Sequence, residues 1–537
     1  MGYKFMGRRR EDDSFEELQR RKKRKLQKHD ERMRELNNPA KSAPQTGHRK
    51  KKKKTHKAAK RLGKVLVALQ AILTILFLWI IFSLNILPMK YTAAVVAVLF
   101  VLFIIVYRSQ RKHKGRAIAG KLLSLLIIVI LGAGSYYLEM VNGAFDKVTG
   151  GTHKIDHIVV AVLKDDPAQS IEDMKNYTFG VQYEIGGEDI EETMDEINAN
   201  VGQDVETIEF ADIESQVAAL FSGGVDAVVY NDGYTGMLGE EISGFESKIK
   251  IIYSHEIKKE LERTTENIDV QNDTFNVYLS GIDVYGSISK SSRSDVNIIA
   301  TVNPETRQIL LITTPRDYYV TLPGVSDGQK DKLTHAGIYG VDASIAALEN
   351  LYETEIPFYA RVNFSSMIEI VDALGGIEVY SEYSFTTQDG YYVRKGMNEF
   401  DGEEALSFSR ERKNLPDGDN QRGKNQQAVI VAMIKKMISP KILMSASSII
   451  DSVSGNVETN MSESQIQSLI KMQLNEGGSW NICSVAAEGV GTTEYTYSMP
   501  SKKLYVAEPV EESIEEIMSL MKQVQKGEIL DDSEVVE

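Results

Sequence analysis

A mixed α/β fold preceded by three membrane-spanning helices is the architecture that the sequence predicts. Apolar runs fill most of residues 63–140. Beyond them, strand-like and helix-like stretches alternate over 150–256 and again over 272–525, as is typical of α/β domains. Hydrophobic residues make up 42% of the chain and charged residues 26%, which excludes a collagen-like or wholly disordered protein. The single cysteine, Cys483, cannot form an internal disulfide.

The three apolar runs are residues 65–87, 91–107 and 117–138. An apolar helix of about 17–25 residues crosses a bilayer core of about 30 Å. The flanks 49–54 and 108–116 are strongly basic, whereas the first loop carries only Lys90. Because Lys and Arg concentrate in cytoplasmic loops, we expect a multi-pass protein of the cell membrane with its N-terminus in the cytoplasm. The domains after the third span are then extracellular.

The two ends of the chain have opposite charge. Residues 1–62 contain 23 Lys and Arg against 8 Asp and Glu, although the whole chain has a net charge of −14. This composition predicts a basic, disordered cytoplasmic tail. We favour a role in setting the topology; the alternative is contact with anionic membrane lipid or nucleic acid. We expect no nucleic acid partner. Residues 526–537 are predicted to form an acidic C-terminal tail.

Residues 150–256 are predicted to form a small accessory α/β domain with a mostly parallel sheet. A polar linker is expected over 264–273. The ranges expected in the accessory domain are strands at 155–163, 179–183, 205–210, 225–230 and 249–252, and helices at 188–199 and 213–221.

A second α/β domain is predicted over 272–525. Its strands 296–302 and 308–314 are expected to form a hairpin around the turn at 303–307. The other ranges expected here are strands at 275–279, 357–362 and 377–380, and helices at 341–352, 365–374, 421–437, 445–453 and 462–474.

Charged residues flank several of these strands, at ends that should lie together at one edge of the sheet. Asp295 precedes the first hairpin strand and Arg316 follows the second, so the two should be adjacent at the open end of the hairpin. Asp283 follows the strand that begins at Phe275, which would share this edge if it runs parallel to 308–314. Ligands of α/β sheets collect beyond the carboxyl ends of strands.

A further group of cationic residues lies at 409–427. Arg410 and Arg412 would face one way only if their segment were extended. Arg422 and Gln426 are four residues apart and would share one helix face. Asp419 could cap that helix or orient Arg412.

Several arginines beside two aspartates suit a pyrophosphate. Guanidinium groups bind phosphate bidentately, and Mg²⁺ is usually held by one or two carboxylates while phosphate oxygens complete its shell. Asp283 and Asp295 could supply those carboxylates. The alternative is a set of ordinary ion pairs, with Asp317 simply paired to Arg316; the residue pattern leaves both open.

These motifs resemble those of the LytR–CpsA–Psr family of cell-wall ligases. The resemblance covers about 274–443, and the three-span anchor and accessory domain resemble the capsule-type branch of the family. It implies an α/β/α sandwich with a mixed central sheet. The segments that carry it are Gly281-Ile-Asp283, Arg293-Ser-Asp295, 301–304, Pro315-Arg-Asp317, 331–336, 371–376 and 409–427.

The resemblance also implies a function: transfer of a glycopolymer from a polyprenyl-pyrophosphate carrier to peptidoglycan. It implies that Asp283 and Asp295 hold Mg²⁺ (or Mn²⁺). Arg316 would be the catalytic residue nearest the transferred group; Asp283 could also act as the base, although that conflicts with binding the metal. The implied pyrophosphate-binding residues are Arg293, Arg316, Arg410, Arg412, Arg422 and Gln426, with Asp317 and Asp419 as orienting residues.

Two other functions remain open from the residues. The same site could serve a hydrolase that cleaves lipid-linked pyrophosphate with water. Alternatively, the protein could be a non-enzymatic envelope regulator or polyanion-binding protein.

The carrier's lipid is expected to lie in an apolar channel between sheet and helices, with 341–351 and 430–437 as its candidate walls.

Overall fold

The computed structural model describes residues 12–36, 47–85, 87–111, 114–149, 153–260, 268–282, 288, 291–363, 367–416, 419–439 and 457–530. The chain divides into two compact units. One unit holds Met1–Leu73 and Phe100–Val129, and the other holds Thr74–Leu99 and Ile130–Glu537. Both α/β domains therefore belong to the second unit.

In the described part of the chain, four helices precede the first strand. Three contain segments that are long and apolar enough to cross a membrane, which agrees with the three predicted spans: Lys60–Leu84, Met89–Ser109 and Gly115–Met140. The helices are α1 (Asp12–Leu36), α2 (Gly47–Leu84), α3 (Met89–Ser109) and α4 (Lys114–Val148).

Helix α1 corrects the prediction of a disordered tail. The chain is helical from Asp12 to Leu36, and residues 19–33 are exposed. The segment contains no Gly or Pro and is rich in Glu, Lys, Arg and Leu, which are strong helix formers. A highly charged segment can therefore be either disordered or helical, and composition alone did not distinguish these two states.

The accessory domain has a five-stranded sheet in the order β3-β2-β4-β1-β5. Strands β3, β2 and β4 run parallel, but β1 is antiparallel to both of its neighbours, β4 and β5. The expectation of a mostly parallel sheet is therefore wrong for the β1–β5 half. The elements are β1 (His153–Leu163), β2 (Thr178–Val181), α5 (Gly187–Val201), β3 (Glu206–Glu209), α6 (Ile213–Ser222), β4 (Ala227–Asn231), α7 (Thr235–Glu241), α8 (Phe245–Lys248) and β5 (Ile249–Glu260).

The second domain is built on a six-stranded mixed sheet. Its order is β16-β11-β6-β7-β8-β17, with parallel β11–β6 and β8–β17 pairs and antiparallel pairs elsewhere. The strands of this domain are β6 (Phe275–Ile282), β7 (Val296–Asn303), β8 (Gln308–Thr314), β9 (Tyr319–Thr321), β10 (Lys330–Lys332), β11 (Phe358–Asn363), β12 (Ile377–Ser381), β13 (Phe385–Thr386), β14 (Tyr392–Val393), β15 (Gly396–Phe400), β16 (Val457–Thr459), β17 (Asn481–Ala486), β18 (Gly489–Thr496) and β19 (Met499–Pro509).

Helices cover both faces of this sheet, which confirms the predicted α/β/α sandwich. Alternate strand residues point to opposite faces, so Ile298 joins the core on one face and Ile299 the core on the other. Helices α11, α12 and α13 pack on the Ile298 face, and α10 and α15 on the Ile299 face. The helices are α9 (Leu333–Ala336), α10 (Val341–Tyr352), α11 (Met367–Ala373), α12 (Gly402–Arg410), α13 (Asp419–Met437), α14 (Glu463–Glu476) and α15 (Glu511–Gln525).

This two-faced packing contradicts the proposed lipid channel. Helix α10 carries the 341–351 wall and α13 carries the 430–437 wall. Ile345 and Leu348 lie in the core on one face, while Ile430 and Met433 lie in the core on the other. The two segments are separated by the sheet and cannot wall one channel.

Two segments that were expected to be exposed to solvent, the linker and the C-terminal tail, each contain a buried residue. Val270, within the expected linker 264–273, is buried in the core beside Phe275. Leu530, within the expected tail 526–537, is buried as well, and its N–H donates to Gln308. The predicted helix at 445–453 lies outside the described residues.

Candidate active site

Asp295 and Arg316 lie side by side at the open end of the β7–β8 hairpin. The strands pair Asn297 with Thr314, which brings the residue before β7 next to the residues after β8. Nη1 of Arg316 is 2.7 Å from Oδ1 of Asp295. The adjacency expected from the hairpin is confirmed.

The strand β6 ends at the same edge. It is parallel to β8, because each is antiparallel to β7. The N–H of Asp295 donates to the carbonyl of Gly281, two residues before Asp283. Asp283 itself lies outside the described residues.

Asp295 is ionised and buried. Burial alone would raise the pKa of its carboxyl group, but Arg316, Arg293 and Arg422 together lower the pKa to about 2. Three of the predicted pyrophosphate-binding arginines are therefore close enough to stabilise one carboxylate. This convergence brings together the residues before β7, the residues after β8 and the start of α13.

Arg293 meets a residue that the sequence did not indicate. Its Nη1 lies 2.6 Å from Oε2 of Glu240, which belongs to α7 of the accessory domain. The other oxygen of Glu240 lies 3.7 Å from Nη2 of Arg316. Burial opposes the charge of Glu240, but Arg293 and Arg316 lower the pKa of this carboxyl group overall.

Asp317 lies on the far side of Arg316. Its Oδ2 is 3.7 Å from Nε of Arg316, and its Oδ1 is 2.8 Å from Nζ of Lys332. Asp317 thus contacts the residue that it was predicted to orient. Lys332 was not predicted.

The segment 331–336, noted only as part of the family resemblance, contacts both Asp295 and Arg316. Thr334 donates to Oδ1 of Asp295 at 3.3 Å, and its N–H donates to the carbonyl of Arg316. Asp331 is fully buried, lies 2.7 Å from Nδ1 of His335 and accepts hydrogen bonds from the N–H and hydroxyl of Ser498. These contacts fix the backbone that carries Thr334.

Arg410 and Arg412 are not on one extended segment. Arg410 is the last residue of α12, and the chain becomes extended only at Glu411. Arg412 is exposed, and within the described residues no hydrogen bond or ion pair joins its side chain to Asp295. The extended arrangement expected for this stretch is therefore wrong for Arg410.

Glu411, which lies between the two arginines in the sequence, is buried. Its carboxylate accepts hydrogen bonds from the N–H groups of Gln388, Arg412, Lys413 and Asn414. Burial opposes its charge, but these four bonds lower the pKa of the carboxyl group overall. Glu411 therefore holds the loop that carries Arg412 in shape.

Helix α13 presents its first turns toward Asp295. It begins at Asp419, whose side chain lies outside the described part, and it places Arg422 near enough to lower the pKa of Asp295. Gln426 is buried one turn later, and its Oε1 has no hydrogen-bond partner within the described residues.

The donor set fits a hard divalent cation. Oδ1 of Asp295 is taken by Arg316 and Thr334, while Oδ2 accepts no hydrogen bond from the described residues. One free carboxylate oxygen is what Mg²⁺ needs when phosphate and water complete its shell. Among the described residues, no cluster of three His, Cys, Asp or Glu residues could hold a metal by itself.

Fold and site together define a class of protein. A mixed-sheet α/β domain gathers Arg293, Arg316 and Arg422 around a buried aspartate at its strand ends, and it follows three helices that are apolar and long enough to span a membrane. This is a protein with three candidate membrane spans and an arginine-rich site around one buried carboxylate.

Comparison with known proteins identifies the family. The family model described as the LytR_cpsA_psr family matches residues 243–518. The chain belongs to this family, which confirms the resemblance seen in the sequence.

Two relatives share the name polyisoprenyl-teichoic acid–peptidoglycan teichoic acid transferase TagU. The one from Enterococcus faecalis is 36% identical over 220 residues, which are 38% of this chain and 71% of the relative. The one from Bacillus anthracis is 34% identical over 217 residues, 39% of this chain and 70% of the relative.

Solved structures overlap with about half of the chain. The crystal structure of B. subtilis TagV has 26% identity and a TM-score of 0.39, covering 47% of this chain and 97% of that one. A structure of TagT bound to LIIa-WTA has 27% identity and a TM-score of 0.39, covering 49% and 95%.

Proposed function

We propose that this protein is a membrane-anchored transferase that moves a glycopolymer from a polyprenyl-pyrophosphate carrier to peptidoglycan. The observation that carries the proposal is the convergence of Arg293, Arg316 and Arg422 on buried Asp295. It occurs in a chain of the LytR_cpsA_psr family whose curated relatives are named as teichoic acid transferases to peptidoglycan.

The arginines suit the diphosphate of the carrier. A planar guanidinium donates two parallel hydrogen bonds to phosphate oxygens, and charge-assisted bonds of this kind contribute about 1.5–3 kcal/mol each. Arg293, Arg316 and Arg422 would bind the diphosphate, and Gln426 would donate from its amide. Arg410 would join them from the end of α12, and Arg412 from the loop that Glu411 holds.

The transfer step breaks the phosphoanhydride bond of the carrier's diphosphate and forms a phosphoester bond to the acceptor. The 6-hydroxyl of muramic acid attacks the phosphorus that carries the polymer, and a new P–O bond forms as the hydroxyl loses its proton. The bond to the bridging oxygen breaks, and polyprenyl phosphate leaves with the electron pair. Catalysis of this kind rests on positioning and on neutralising the charge that develops, which is the task we assign to Arg316.

Asp295 and Asp283 would hold a divalent cation, Mg²⁺ or Mn²⁺. When bound, the cation supplies positive charge to the diphosphate oxygens. The residues of this chain do the rest: Thr334 and Arg316 fix the position of Asp295, and Asp317 and Lys332 fix the position of Arg316.

The three apolar helices suit a substrate whose carrier is a lipid. They would keep the site at the membrane surface, and the basic flanks of the spans support an extracellular position for both α/β domains. Peptidoglycan, the proposed acceptor, lies on that side.

The test uses the full-length chain in detergent with lipid-linked polymer, a peptidoglycan fragment and Mg²⁺. Polyprenyl phosphate should appear together with a phosphodiester adduct of the fragment. Arg316→Ala should abolish both products, while Arg307→Ala, at the closed end of the same hairpin, should leave them unchanged. Near-normal transfer by Arg316→Ala would show that the site is wrong, and free phosphorylated polymer without adduct would indicate hydrolysis instead.

A further inference from the structure

Helix α7 of the accessory domain places one carboxylate across two arginines of the candidate site. Oε2 of Glu240 is 2.6 Å from Arg293, and Oε1 is 3.7 Å from Arg316. Each oxygen therefore faces a different guanidinium, as two oxygens of a phosphate would. The contacts come from a domain for which neither the motifs nor the family relatives indicate a role.

Glu240 differs from the other counter-ion of this pair in its access to solvent. The side chain of Asp295 is 9% exposed, whereas that of Glu240 is 41% exposed. Asp295 also belongs to the hairpin itself and receives Thr334. A ligand that arrives from solvent can therefore replace Glu240 more readily than Asp295.

The backbone of α7 is held against the second domain, so the position of Glu240 is built into the fold. Tyr234, just before α7, shares a hydrogen bond of 2.9 Å with Tyr339. Glu241, at the end of α7, pairs with Lys502 of β19. A Cβ on Gly236 would lie 3.3 Å from Nη2 of Arg293, so the absence of a side chain there lets α7 approach the guanidinium.

The charge of Glu240 is maintained at neutral pH. Burial opposes ionisation, but Arg293 and Arg316 lower the pKa of its carboxyl group. A carboxylate with a lowered pKa is a weak base, which argues against proton abstraction from the acceptor. It is well suited to act as a counter-ion.

We propose that Glu240 is a displaceable counter-ion that occupies the phosphate position between Arg293 and Arg316 until the diphosphate replaces it. It positions the two guanidiniums in the free protein and competes with every anion that needs both of them. The competition lowers the affinity of all such anions by a similar factor, so weakly bound ones leave the site. The inference rests on the proposed function, because it takes this arginine pair to be the diphosphate site.

The consequence for the reaction concerns release. After transfer, the bound groups are a phosphodiester and the monophosphate of the carrier, which no longer form one diphosphate. Glu240 can then return to the arginines and help to expel them. Removing its charge should therefore tighten binding and slow product release.

The experiment measures binding of inorganic pyrophosphate, with Mg²⁺, to the full-length chain in detergent by calorimetry. Glu240→Gln keeps the shape of the side chain and removes its charge. We expect binding up to about fivefold tighter, the range for loss of a partly exposed ion pair. Glu246→Gln in α8 is the matched control, because it removes one negative charge from the same domain without touching the arginines, and its affinity should equal that of the wild type.

A second readout separates competition from a structural role. In the transfer assay, Glu240→Gln should lower KM for the lipid substrate and lower kcat, whereas a merely damaged site would raise KM. Unchanged or weaker pyrophosphate binding by both Glu240→Gln and Glu240→Ala overturns the inference while leaving the proposed function standing. If neither the wild type nor the variants bind pyrophosphate, the arginine pair is not a diphosphate site and both proposals fall.

Discussion

Thr334 donates to the same oxygen of Asp295 that Arg316 holds. The hydroxyl of Thr334 is 3.3 Å from Oδ1 of Asp295, and Nη1 of Arg316 is 2.7 Å from that atom. The backbone closes the arrangement, because the N–H of Thr334 donates to the carbonyl of Arg316. Asp295 and Arg316 are thus oriented by a residue that touches both.

This relationship predicts the effect of removing one hydroxyl. Thr334→Val keeps the shape and loses the hydrogen bond to a charged acceptor, which contributes about 1.5–3 kcal/mol, or roughly ten- to a hundredfold in rate if it is needed in the transition state. We expect kcat for transfer to fall within that range. Thr334→Ser should keep most of the activity, and equal kcat values for Val and Ser variants would contradict an orienting role.

The ion pair of Asp295 predicts how stability depends on pH. The pKa of its carboxyl group is lowered to about 2 from an ordinary value of 3.8. A lowered pKa stabilises the folded state above the ordinary value, and this stabilisation, about 2 kcal/mol, is lost as the pH falls from 3.8 toward 2.

The measurement compares thermal unfolding of the wild type and Asp295→Asn between pH 7 and pH 3. The wild type should be more stable by a constant amount down to about pH 4, with the difference shrinking below it. A difference that disappears between pH 7 and pH 5 would mean that the pKa of Asp295 is not lowered.

Some of this site follows from sequence and some does not. The Asp295–Arg316 pair could be predicted because hairpin topology alone brings the two strand ends together. Glu240 could not, since its position depends on how the accessory domain packs on the second domain, and no local pattern encodes such a contact. Glu411 was missed for another reason: a charged residue between two arginines looks solvated, yet it is buried by bonds to four backbone N–H groups.

The fold shows the same division. Residues 308–314 and 341–352 were predicted to the residue, because each is an apolar stretch with clear ends. Helix α15 was not predicted, although Ile514, Ile517, Leu520, Met521 and Val524 form a buried stripe at helical spacing. Its acidic outer face resembled the solvated tail that follows it. The candidate channel failed because helix sequences do not reveal which face of a sheet they cover.

Oδ2 of Asp295, which accepts no hydrogen bond from the described residues, leads to a prediction for metal removal. Treatment with EDTA should abolish transfer by the full-length protein, and Mg²⁺ or Mn²⁺ should restore it, because the diphosphate needs a hard cation besides the arginines. Asp295→Asn should raise the Mg²⁺ concentration needed for half-maximal activity, whereas Asp342→Asn, a carboxylate on α10, should not change it. Full activity in EDTA would exclude the metal role of Asp295.

The charge asymmetry around the spans predicts which side of the membrane each part occupies. Cys483 is buried, so it should not react with a membrane-impermeant maleimide, and the wild type should show no labelling. Lys22 on α1 and Lys395 before β15 are both exposed and can each be replaced by cysteine. In intact cells the reagent should label Lys395→Cys but not Lys22→Cys, and lysis should make both reactive, because the basic flanks keep the N-terminus inside. Labelling of Lys22→Cys alone in intact cells would reverse the topology and place the arginine site on the wrong side of the membrane from peptidoglycan.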